Sequence, residues 1–118
     1  MTSRQLAEQA ARLLYERKAE DIQIMDLRKL GGVSDFFIVA SGISTTHVRS
    51  LADHLQVELK QSGVKPWHIE GYQAERWVLM DYVNVVVHIF HPQTREFYLL
   101  ERLWGDAEKL KIDFVVSQ

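Results

Sequence analysis

Two carboxylates are the residues of this sequence that most invite chemistry. Asp35 stands in GGVSDFFIVASG at the mouth of an apolar run, and Asp81 stands in the middle of WVLMDYVNVVVHIF. Acids in such places can hold Mg²⁺ beside a triphosphate for nucleotidyl transfer. That chemistry needs a D-x-D pair on one strand face and a third acid on a later strand. The second position of the pair is Phe37. Asp35 therefore reads as a residue that caps or orients the turn entering its strand, and Asp81 as one paired with a basic group or a backbone donor.

Histidine and serine chemistry fare no better. His88 and His91 lie three apart on a predicted strand and so point to opposite faces. His47 and His54 are two helical turns apart, too far to chelate together without other ligands. His88 inside VVVHIF has the setting of a core histidine with a hydrogen-bond partner. No H-E-x-x-H, G-x-S-x-G, Walker loop or G-x-G-x-x-G is present, and there is no cysteine to supply a thiol nucleophile, a disulfide or a thiolate zinc site. The expected cofactor and metal complement is none.

The formal net charge is −2. Binding driven by phosphate counterion release asks for a basic domain, and the basic stretches Arg12 to Lys18 and Lys109 to Lys111 are interleaved with acids. A working partner is expected to be protein, with little direct contact to RNA. The charged N-terminal stretch lacks the apolar core of a signal peptide, and no run approaches the ~20 apolar residues of a membrane span. A soluble, cytoplasmic single domain is expected.

The elements that must position these residues follow from periodicity. Thr2 and Gln5 fit a capping box for a helix carrying Leu6, Ala10, Leu13 and Leu14 to about Lys18. DIQIMDL alternates as a strand, and SDFFIVASG reads as a central strand covered on both faces. Val48, Leu51, Ala52, Leu55 and Leu59 keep a helical rhythm that Gly63 closes. VKPWHIEG is a short strand that Pro66 places at an edge or strand start. RWVLMDYV and VVVHIFH, joined near Asn84, form an antiparallel hairpin. TREFYLLERLW is a helix ended by Gly105, and DAEKLKIDFVVSQ carries a last helical turn and a strand at Phe114 to Val116. The fold class is α/β: one domain with a mixed central sheet of about five strands flanked by helices.

Aromatic residues crowd the C-terminal half. Alternation puts Trp77, Leu79 and Asp81 on one face of their strand and Val78, Met80 and Tyr82 on the other. A strand apolar on both faces must cover both, with helices or with a partner. Interfaces favour Trp, Tyr, Met and Arg, so exposed anchors within this set are expected.

SDFFI followed by SG, WVLMDY, VVVHIF and REFYLLERLW stand in order over roughly Leu6 to Asp106. In these motifs the chain resembles the ribosomal silencing factor family, also called Iojap-like. The resemblance implies a single domain whose core spans about residues 6–106, with a tail at 107–118. It implies a nucleotidyltransferase-like topology without the catalytic carboxylates, which agrees with Phe37, and a protein that is not an enzyme. Family members bind the large ribosomal subunit through its protein fourteen at the intersubunit face, block subunit joining and repress translation when nutrients are short; organellar relatives act in ribosome assembly. Carried over by motif, docking falls on Trp77, Leu79, Asp81 and Tyr82, then His88 and Phe90, then Arg95, Tyr98 and Glu101. Alternatively, Asp81, His88 and Glu101 form an internal network that shapes the patch while Trp77 makes the contact. Two other readings stay open: a residual nucleotidyltransferase or nucleotide-binding module using Asp35 and Asp81, and a homodimer of the free protein with DFVV pairing edge to edge.

Overall fold

Thr2 opens α1 (Ser3–Glu16) through a reciprocal box: its hydroxyl accepts from the Gln5 N–H at 3.0 Å, and the Gln5 carboxamide accepts from the Thr2 N–H at 2.9 Å. The computed structural model describes residues 1–30, 34–73, 76–98 and 108–110. α1 buries Ala7, Ala10, Ala11, Leu13 and Leu14, the stripe its spacing predicts. Just beyond its end at Glu16, Lys18 takes a φ of 67°, and Lys18 and Ala19 donate back to the Tyr15 and Leu14 carbonyls. In α2 (Thr45–Gln61) the Ser44 hydroxyl caps the start, and Gly63, at φ 81°, closes the end by the same pair of returning bonds.

Among the described residues six strands form one sheet: β1 (Glu20–Asp26), β2 (Phe36–Ser41), β3 (His68–Glu70), β4 (Trp77–Asp81), β5 (Val85–Phe90) and β6 (Glu108–Leu110). Their spatial order is β3-β4-β5-β2-β1-β6, with β2 and β5 parallel and every other pair antiparallel. The sheet is mixed, as expected. β2 and β5 occupy its centre, and every residue of both is buried, which is what their unbroken apolar runs require. β3 lies at an edge, where Pro66 just before it removes no ladder bond.

One expectation is corrected. Among the described residues the sheet has six strands, close to the five or so expected, and the sixth lies at Glu108–Leu110, where the sequence pattern suggests a helical turn. The outer edge of β1 presents unpaired backbone groups, and β6 satisfies them; that demand is tertiary and leaves no mark on the residues E-K-L. The strand expected at Phe114 to Val116 lies outside the described residues. So does the second half of the last helix, of which α3 (Pro92–Tyr98) is the described part.

α1 and α2 cover one face of the sheet, packing on Ile24, Phe36, Ile38, Val78, Met80, Val87 and Ile89. The opposite face carries a smaller cluster of Met25, Leu27, Phe37, Val39, Val86 and Phe90, with Trp77 and Leu79 half-buried against it. That second face positions the candidate site.

Candidate functional site

Residues that are register partners across neighbouring strands share a face, so the ladder lays out the second face in rows. One row runs His68–Asp81–Val86–Phe37–Met25, the next Glu70–Leu79–His88–Val39–Gln23, and a third Trp77–Phe90–Ser41. Burial falls off toward the β3 edge. Val86, His88 and Phe90 are buried, Trp77, Leu79 and Asp81 are half-buried, and His68 and Glu70 are exposed. Among the described residues Trp77, Leu79 and Asp81, with His68 and Glu70, make an accessible margin at β3–β4, while Glu20 and Lys109, the register partners of Ser41 and Met25, are exposed at the opposite border.

Trp77 is held there by its neighbours. Its indole N–H donates to His88 Nδ1 at 3.1 Å, and its ring stacks on Phe90 with centroids 4.9 Å apart. Accepting that bond leaves Nδ1 without a proton, so the neutral imidazole carries its proton on Nε2. Nε2 is buried and has no hydrogen-bond partner among the described residues. The ring is 4% exposed and packs on Phe37 at 4.8 Å. Burial holds the His88 pKa down at about 4, because charging an imidazole in this apolar layer forfeits its hydration. At neutral pH His88 is a neutral acceptor for the Trp77 indole.

Asp81 has a structural task. Its Oδ1 accepts from the Val83 N–H at 2.7 Å, tying the β4–β5 turn, while its carbonyl accepts from the Trp67 N–H at 2.8 Å. Its carboxylate is engaged by a backbone donor, one of the two roles its sequence context allows. Among the described residues, no group of three His, Cys, Asp or Glu side chains converges to hold a metal.

The remaining expected residues are not all brought to this face. Tyr82 points to the helix-covered face, where it is 6% exposed and its hydroxyl has no hydrogen-bond partner among the described residues; burial pushes that hydroxyl up to about 12. Arg95, in the last turn of α3, donates to the Ser41 hydroxyl at 3.0 Å and so borders the third row. Tyr98 closes α3, its side chain outside the described residues, as is the whole of Glu101. Sequence reasoning missed His68 and Glu70 on the accessible margin and Ser41 as the acceptor for Arg95. The alternation of H-I-E shows that His68 and Glu70 share a face, but only the register against β4 shows which one.

A family model described as "Ribosomal silencing factor during starvation" matches residues 1–118. The ribosomal silencing factor RsfS of Bacillus subtilis is 35% identical over 118 residues, 100% of each chain. A mouse protein named "Mitochondrial assembly of ribosomal large subunit protein 1" is 34% identical over a stretch covering 89% of this chain and 52% of that protein. The crystal structure of a Chromobacterium violaceum protein, 35% identical, superposes with a TM-score of 0.86 over 100% of this chain and 98% of that one. The mixed sheet with its helices is thus an architecture already seen by experiment at this level of identity.

Proposed function

The chain belongs to the ribosomal silencing factor family, and from that premise we propose that it acts in the cytoplasm by docking on the large ribosomal subunit. Protein fourteen of that subunit, at the intersubunit face, is the docking partner; the bound domain blocks joining of the small subunit and represses translation under nutrient limitation. The observation that carries this reading is the Trp77 margin. A large aromatic ring is held by a hydrogen bond and a stack at an accessible margin of the second face, beside Leu79. A side chain fixed in this way loses little freedom on binding, which favours a contact residue.

In this proposal Trp77, Leu79 and Asp81 make contact, with Arg95 bordering them, and Tyr98 and Glu101 join the contact set by motif alone. His88 and Phe90 are positioning residues behind the Trp77 ring, and Tyr82 supports the strand from its other face. No bond is made or broken. A steric blocker needs a matched patch of commonly ~1,200–2,000 Å² total buried surface and enough bulk behind it to clash with the other subunit. The near-balanced charge supports docking on protein over RNA. The name of the mouse relative supports the large subunit as the partner.

The test is sedimentation of purified protein with separated large and small subunits. Comigration with the large subunit and loss of the joined peak are expected. Protein remaining at the top of the gradient would overturn the reading.

A further inference from the structure

Trp67 is 74% exposed and Val83 is 58% exposed. Both are large apolar side chains at the same end of the sheet, and both are tied by backbone to one residue. The Trp67 N–H donates to the Asp81 carbonyl at 2.8 Å, and the Val83 N–H donates to Asp81 Oδ1 at 2.7 Å. Asp81 itself stands on the Trp77–Leu79 face. Val83 also holds a φ of 75°, with the Tyr82 carbonyl accepting from the Asn84 N–H at 3.0 Å across it. That tight turn suits Gly, Asn or Asp and strains a β-branched residue. The protein thus carries a strained valine whose side chain is left mostly in solvent. A tryptophan, among the most buried residue types on average, stands exposed with its backbone tied to the same aspartate's carbonyl.

We propose that Trp67 and Val83 are a second pair of anchors in the docking surface, seated on the same protein of the large subunit as Trp77 and Leu79. The proposal rests on the docking reading above. Two observations favour that occupant. The patch cannot grow inward across the described sheet, because Val86, His88 and Phe90 are buried. A standard interface engages about 20 or more residues a side, more than the Trp77 margin and its flanking residues supply. Growth around the end of β4 is continuous with the patch through Asp81 and meets Trp67 and Val83 directly.

The test uses the full chain, isolated large subunits and a quantitative binding assay, with thermal melting and free-protein sedimentation run alongside. Trp67→Ala is expected to weaken binding roughly tenfold or more and leave Tm unchanged. Val83→Asn is expected to raise Tm, because Asn tolerates the left-handed backbone, while weakening binding. A structural role alone cannot drive those two readouts in opposite directions. If both variants bind as the unmodified protein does while Trp77→Ala binds poorly, the docking reading stands and this extension is overturned. If Trp67→Ala abolishes a dimer of the free protein without changing affinity for the large subunit, the sheet end is a self-contact and the extension is again overturned. If the unmodified protein fails to bind large subunits at all, the docking reading itself falls, and the anchors with it.

Discussion

His88 allows a stability experiment whose size can be worked out from its surroundings. The imidazole titrates near 6.5 in an unfolded chain and at about 4 in the native protein, where burial disfavours its charged form. Below 6.5 the unfolded chain binds a proton that the folded protein refuses. This contribution to stability is therefore complete above about pH 6.5 and is lost as pH falls toward 4. At roughly 1.4 kcal/mol per pH unit the full loss is about 3 kcal/mol, of which about 2 kcal/mol has gone by pH 5. For a domain of this size that is on the order of 8 °C in Tm. Carboxylates titrate in the same range, so the quantity to measure is the difference between the unmodified protein and His88→Phe in urea unfolding from pH 8 to pH 5. Phe is the larger ring, and its packing cost among Phe37 and Phe90 is a constant offset; only titration gives a slope. The difference should shift by about 2 kcal/mol in favour of His88→Phe as pH falls. A flat difference would show that the imidazole is not held neutral by burial, and the tautomer that receives the Trp77 indole would lose its physical basis.

Trp77→Ala removes a half-buried ring and leaves the His88 acceptor without a donor. It should cost about 1–2 kcal/mol in chemical denaturation, well below a fully buried tryptophan, yet weaken large-subunit binding roughly thirtyfold. Unchanged affinity would exclude Trp77 as an anchor. Asp81→Ala removes the acceptor of the Val83 N–H and should cost about 1 kcal/mol, whereas Asp81→Asn keeps an oxygen there and should cost little; equal losses in denaturant would show that charge, not acceptance, matters at this position. Gly71→Ala would place a Cβ 2.0 Å from the Trp77 carbonyl oxygen at a φ of 77°, so a loss above about 3 kcal/mol is expected by melting, and a near-normal melt would refute the close approach. Mg²⁺ with a nucleoside triphosphate should leave Tm unmoved, because nucleotide binding would raise it by linkage.

Much of the framework was legible because its signals are local. The Thr2–Gln5 box, the apolar stripe of α2 with Gly63 after it, and the unbroken run of β2 each constrain a few neighbouring residues by capping, period and burial, and each element formed where those signals lie. Alternation alone put Trp77, Leu79 and Asp81 on one face and Tyr82 on the other, and the lost D-x-D pair was visible in Phe37. Only the tertiary structure decided what those faces meet. The parallel pairing of β2 with β5 sets His88 against Phe37 and Val39, and the register of β4 on β5 brings the Trp77 indole to its Nδ1. The first joins strands far apart in sequence, and in the second, a hairpin, a slip of one residue would turn every side chain to the other face. The sixth strand and the exposure of Trp67 have the same origin: backbone demand at a sheet edge, and the absence of packing at a sheet end, are properties of the assembled sheet rather than of any segment within it.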